Sequence, residues 1–221
     1  MTSPPTPIAE ERPRTPAQAW QALAAGNARF RADQRAHPHQ DMDIRHRLAA
    51  KQSPFAVFFG CGDSRVASEI IFDQGLGDLF VVRTAGHVID FAVLGSIEFG
   101  VGALGAPLIV VLGHDSCGAV AAAIASADTG EMPSGYVRDI VERVAPSVIS
   151  ARRSGDASTE DVEREHVRNT CDLLYERSNV IARLVDAGLL AVLGCEYGLA
   201  EGEARLIHVI GDVGESAGEV A

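Results

Sequence analysis

Short apolar runs recur along the chain, each closed by a glycine-marked turn and followed by a stretch with helical spacing. "PFAVFFG" (54–60), "DLFVVRT" (78–84) and "PLIVVLG" (107–113) are close to continuous in aliphatic and aromatic residues, the pattern of strands covered on both faces. They lead respectively into a short helix from Ala67 to Phe72, into "FAVLGSIEFGV" (91–101) and into "SCGAVAAAIASA" (116–127). Residues 136–153 and 160–187 read as further helices, the second keeping Val167, Cys171, Leu174, Ile181 and Leu184 at helical spacing, and "LLAVLGCEYG" and "ARLIHVIG" return as late strands. Ahead of these, a helix is predicted from Ala17 to about Arg31, with Trp20, Leu23, Asn27 and Phe30 on one face, and the polar "RAHPHQDMD" after it reads as a loop. The alternation predicts an α/β fold: a mostly parallel β-sheet flanked by helices, with an N-terminal helical arm.

Composition narrows the picture. With 221 residues and 47% hydrophobic content, one core is expected, in a single domain over 17–213. Five prolines among the first sixteen residues make 1–16 a flexible tail in this reading, and 214–221 a second one. The net charge of −11 argues against nucleic acid and anionic membrane surfaces as partners. No apolar stretch reaches the roughly 18 residues of a membrane span, and "MTSPPTPIAEERPRTP" resembles neither a secretory signal nor a transit peptide. Four dispersed cysteines, at 61, 117, 171 and 195, fit a reducing compartment better than a disulfide framework, so a cytoplasmic location is expected.

Two motifs are decoys. "GVGALG" (100–105) spells a dinucleotide fingerprint but follows a helix and precedes a strand, the reverse of the required order. "GESAG" (214–218) spells a nucleophile elbow with only three residues left to form its helix.

A third constellation carries chemistry. In "CGDSR", Cys61 and Asp63 are two apart in extended backbone and project from one face. In "GHDSCG", His114 and Cys117 stand at i, i+3 and share one side of a helical turn. Both motifs sit at the carboxyl ends of predicted parallel strands, where open α/β sheets bind ligands. Two thiolates and one imidazole make a tetrahedral zinc set whose fourth position is left to water or substrate. Asp63 competes for that position, and Arg65 can hold it off the metal in a two-pronged contact.

These residues resemble the β-class carbonic anhydrases of the bacterial type. The resemblance spans about residues 16–212 and includes "GNARF", "CGDSRV", "FDQGLGDLFVVRTAG", "SIEFGV" and "GHDSCGAV". It implies that Cys61, His114 and Cys117 bind one zinc per subunit, with Asp63 joining them only in a closed state. It implies that Asp63 and Arg65 form a catalytic dyad for reversible hydration of carbon dioxide to bicarbonate. Gln52, Phe80, Ala85 and Phe99 would line the substrate niche across a dimer interface, and the backbone of Gly118 would hold a product oxygen, in a homodimer or tetramer. Some branches carry an inhibitory bicarbonate pocket of tryptophan, arginine and tyrosine; Arg83 and Tyr197 match it, but Phe58 replaces the tryptophan. Because two thiolates donate more charge to a metal than imidazoles do, activity is expected to rise above neutral pH. The residues leave open a zinc hydrolase acting on carbon disulfide or carbonyl sulfide, a non-catalytic zinc-stabilised interaction module, and a redox role for Cys61. His37, His39, His46, His87, His166 and His208 are the candidates for a proton shuttle.

Overall fold

The computed structural model describes residues 12–155 and 157–214. Five strands form one sheet in the order β2-β1-β3-β4-β5: β1 (Ala56–Cys61), β2 (Leu79–Thr84), β3 (Leu108–His114), β4 (Ala191–Tyr197) and β5 (Ala204–Ile210). All neighbours are parallel except β4 and β5. Every residue of β1 and β3 is buried, which explains why these strands read as unbroken apolar runs. The edge strand β2 is half-buried except at Arg83, which is exposed.

Side-chain alternation divides β1 between two cores. Phe58 faces one side, packing with Trp20 and Leu23 of α1 (Pro16–Arg31) and with Ile71 and Phe72 at the end of α3 (Ser68–Ile71). Phe59 faces the other, among α4 (Phe91–Glu98), α7 (Thr159–Arg177) and α8 (Asn179–Asp186). A third cluster joins α5 (Gly118–Thr129) to α6 (Val137–Ala151) and takes in Cys61 and Cys117 at its margin. Among the described residues, no helix is long and apolar enough to cross a membrane.

The elements depart from the sequence pattern in three places. The loop predicted at 35–43 gives way to a helix, α2 (Met42–Leu48), capped by Asp41; it buries no residue, so no apolar stripe announces it. The helix predicted over 160–187 is two, because Ser178 takes extended backbone (φ −108°) and its hydroxyl accepts the N–H of Ile181 to cap α8. Residues 12–16 are held to the body: Pro16 occupies the first turn of α1 behind a Thr15 cap, and Arg12 donates to the Gly77 carbonyl at 2.7 Å and pairs with Asp78. The remainder of the two tails, residues 1–11 and 215–221, and with it most of "GESAG", lies outside the described residues. "GVGALG" runs from a π-helical turn (Phe99–Ala103) into β3, a helix-to-strand order that presents no helix N-terminus to a phosphate.

Candidate metal centre

Parallel strands β1 and β3 are neighbours in register, so their carboxyl ends deliver Cys61 and His114 to one end of the sheet. Beyond His114 the chain turns sharply through Ser116, at φ 53°, and brings Cys117 back as the residue preceding α5. The ligand atoms of Cys61, His114 and Cys117 all lie within 4.8 Å of one another, and all three residues are buried.

The donor set fits a soft divalent cation. His114 Nδ1 donates to the Asp115 carbonyl at 2.7 Å, which fixes the tautomer and leaves Nε2 as a lone-pair donor. That Nε2 is buried and has no hydrogen-bond partner, a costly state for a polar atom unless something else takes its lone pair. Ionisation of one thiol opposes ionisation of the other. Cys61 is drawn down to about 4, first by its hydrogen bond with Cys117, against the cost of burial, and further by His114 and the Gly86 N–H. Cys117 is driven up by the same contact and by burial, although the N–H groups of Ala119 and Val120 at the start of α5 oppose this. A metal that displaced the thiol protons would meet one imidazole and two thiolates, the composition of a zinc site with one position open.

Asp63 stands outside this cluster. Arg65 takes its carboxylate with both prongs, Nε to Oδ1 at 3.0 Å and Nη2 to Oδ2 at 2.7 Å, and the Arg65 N–H adds a third bond to Oδ1 at 2.9 Å. The guanidinium thereby holds the carboxyl well below the usual carboxylate range. Asp63 is thus engaged by Arg65 rather than by the cluster.

The remaining expected site residues fall into two groups. Ala85 follows β2 beside Gly62, and Gly118 opens α5, so both adjoin the metal ligands. Phe80 pairs in register with Val57 and meets Phe99 at a ring-centroid distance of 6.0 Å, while Gln52 precedes β1 and is exposed. These three lie toward the amino end of β1, which at about 3.3 Å per residue is about 16 Å from Cys61. Within one chain they do not line the same space as the metal ligands.

Glu163 and Gly86 escaped the sequence, as did the contacts that Arg83, Phe58 and Tyr197 make. Arg83 donates to the carbonyls of Cys61 (2.8 Å) and Asp63 (2.6 Å), bracing the loop between ligand and dyad. Phe58 is buried and packs edge-on against Phe72, and Tyr197 is buried at the end of β4. Glu163 of α7, 4% exposed, accepts the Cys117 N–H at 3.0 Å, and burial pushes its carboxyl up. Gly86 donates its N–H to Cys61 Sγ at 3.3 Å. Of the histidines, His87 and His166 are buried, while His39 and His208 pair with Asp78 and Asp172.

Comparison with known proteins agrees with the geometry. The family model described as "Carbonic anhydrase" matches residues 56–204. "Carbonic anhydrase 2" of Mycobacterium tuberculosis is 58% identical over 200 residues, covering 90% of this chain and 97% of the relative. A carbonic anhydrase of Mycolicibacterium smegmatis is 57% identical over the same shares of the two chains. Among solved structures, the β-carbonic anhydrase CcaA superposes with a TM-score of 0.69 at 24% identity, over 89% of this chain and 93% of that one. CafA of Aspergillus fumigatus gives 0.65 at 25% identity, over 89% and 92%. With its parallel sheet, its Cys-His-Cys cluster and these relatives in agreement, the chain belongs to the β-carbonic anhydrase family.

Proposed function

We propose that this carbonic anhydrase hydrates carbon dioxide reversibly to bicarbonate and a proton, with one zinc ion per subunit held by Cys61, His114 and Cys117. The carrying observation is the buried cluster itself: the ligand atoms of Cys61, His114 and Cys117 lie within 4.8 Å of one another, and His114 Nε2 has no hydrogen-bond partner. When bound, zinc would supply a Lewis acid that lowers the pKa of water, less far than in the three-histidine carbonic anhydrase site because two thiolates donate more charge to the metal.

The chain's own residues then orient the reaction. Asp63, kept ionised by Arg65, accepts a hydrogen bond from the attacking oxygen and aims its remaining lone pair; it positions a proton without removing it. Gly118, in the first turn of α5, offers its N–H to a product oxygen. Carbon dioxide is small, linear and apolar, so its niche needs little beyond hydrocarbon. Phe80 and Phe99 supply this, with Gln52 at the rim and Ala85 on the metal side. Because the two groups of residues stand a strand's length apart within one chain, the niche of one subunit completes the metal centre of another, in a homodimer or a tetramer built from it. Two β-carbonic anhydrases of Sordaria macrospora, similar to this chain in fold, are tetrameric.

Metal content measured on purified protein, followed by stopped-flow hydration of carbon dioxide on the same sample, tests the reading. About one zinc per chain and hydration that disappears with Cys61→Ser are expected. Metal-free protein that hydrates carbon dioxide, or zinc-loaded protein that does not, would overturn it. Hydrogen sulfide release from carbonyl sulfide on that sample separates the related hydrolase activity.

A further inference from the structure

Cys61 is linked to α6 and α7 by a chain of hydrogen bonds that the reaction as described does not use. His166 of α7 is 4% exposed, and its Nε2 lies 2.8 Å from the Gly86 carbonyl. Its Nδ1 lies 2.9 Å from the hydroxyl of Ser147 on α6, and that hydroxyl oxygen accepts from Asn169 at 3.1 Å. Burial lowers the pKa of His166, favouring the neutral ring with one donor and one acceptor. A carbonyl can only accept, so Nε2 carries the proton to Gly86 and Nδ1 accepts from Ser147. Every polar atom of the ring is committed in one direction.

Gly86 needs such a hold. It sits in the left-handed region (φ 63°) with only 2.6 Å between an added Cβ and that of Ala119, so no side chain can anchor it there. Unanchored glycine is the backbone residue freest to rotate, yet its N–H must stay aimed at Cys61 Sγ, 3.3 Å away. A hydrogen bond to a thiolate withdraws charge from sulfur and so governs how much that sulfur gives to a metal.

We propose that His166 is a positioning residue for the metal centre: by fixing the Gly86 carbonyl it aims the Gly86 N–H at Cys61 and sets the donor strength of that thiolate, with Ser147 fixing the tautomer. This rests on the metal site proposed above. Ser147, His166 and Asn169 border a cavity of about 550 Å³ that Cys61, His114 and Cys117 do not line, although Ser147 and His166 are themselves buried.

Cobalt(II) is the probe, because its thiolate charge-transfer absorption reports the sulfur directly. Full-length protein is loaded with cobalt(II) as wild type, His166→Phe, His166→Gln and Ser147→Ala, and the band position and the rate of metal loss to a chelator are measured. In His166→Phe the band is expected at longer wavelength, because the thiolate loses its hydrogen bond, and metal loss is expected to be faster by about 10-fold or more, because Cys61 and its loop are no longer held in place. His166→Gln, whose amide nitrogen can reach the same carbonyl, is expected to restore both. Ser147→Ala, which keeps the ring, is expected to shift both in the same direction by less, and gives the readout if His166→Phe does not fold. Variants that fold with the wild-type band and wild-type metal retention would overturn the positioning role while leaving the metal site intact. A wild-type protein with no thiolate band, or one whose band keeps both its position and its intensity in Cys61→Ser, would overturn the metal site itself and this inference with it.

Discussion

Asp63 and Arg65 stand two residues apart, and their side chains form a bidentate pair within a single turn. If the pair orients the nucleophile, Arg65→Ala should lower turnover about 100-fold or more while bound zinc stays at the wild-type level; stopped-flow hydration with metal analysis checks both. Loss of zinc from a folded Arg65→Ala would instead make the arginine a structural brace. The candidate metal cluster was legible in the sequence because few residue types bind zinc, and because Cys61, His114 and Cys117 fall at or just past the ends of apolar runs that read as buried strands. Their supports were not. Gly86 acts through a backbone N–H, which no residue type signals, and Arg83 acts on backbone carbonyls. Glu163 reads as one more charge in the polar "TEDVEREH", and only the seating of α7 against the start of α5 turns it inward to Cys117.

Contacts between elements fix how firmly the site is framed. Where α1 crosses the end of α3, a Cβ on Gly26 would fall 1.8 Å from the Phe72 carbonyl oxygen, which belongs to the backbone and cannot step aside. Gly26→Ala should therefore cost about 1–3 kcal/mol or more in urea unfolding, with full hydration activity in whatever fraction folds. Asp73, beside the same crossing, is 3% exposed and joins α1 to the segment before α2, accepting from Arg29 at 2.6 Å and from the N–H groups of Ala36 and His37. Burial alone would raise its carboxyl, but the Ala36, Arg29 and His37 contacts outweigh it and the net shift is downward. A depressed folded-state pKa means the unfolded chain binds more protons. The stabilisation is therefore complete above the unfolded carboxyl value of about 3.9 and is lost as pH falls through the lower folded value. Asp73→Asn should be less stable than wild type at pH 7, and the gap should close as pH drops below about 4. A gap independent of pH would show that the ionised form is not what matters. At this scale the strands and α1 followed from apolar periodicity, whereas α2 and the break at Ser178 did not: α2 buries nothing, and Ser178 ends one helix and caps the next without interrupting the spacing of Val167, Cys171, Leu174 and Ile181.

One chain carries both halves of the proposed site at opposite ends of β1, which makes subunit exchange informative. A metal-dead Cys61→Ser chain and a niche-dead Gln52→Ala chain, dissociated and reassociated together, should regain activity in mixed dimers. Random pairing leaves about a quarter of the sites intact, and no gain over either parent would place the niche and the metal on the same chain. Phe91, 97% exposed, and Phe99, 50% exposed, are large apolar groups on the α4 side of edge strand β2 that such an assembly would cover. The parallel sheet and the strand ends that carry the ligands could be read from pattern alone, but the separation of Gln52 and Phe80 from Cys61 required the register of β1 against β2. Beneath all of this lies one claim, that Cys61, His114 and Cys117 jointly bind a single zinc. X-ray absorption at the zinc edge of purified protein tests it most directly. The expected shell has two sulfurs at about 2.3 Å and one nitrogen at about 2.0–2.1 Å, and it loses a sulfur in Cys117→Ser. A shell of oxygen and nitrogen without sulfur, or one unchanged by that substitution, would contradict it.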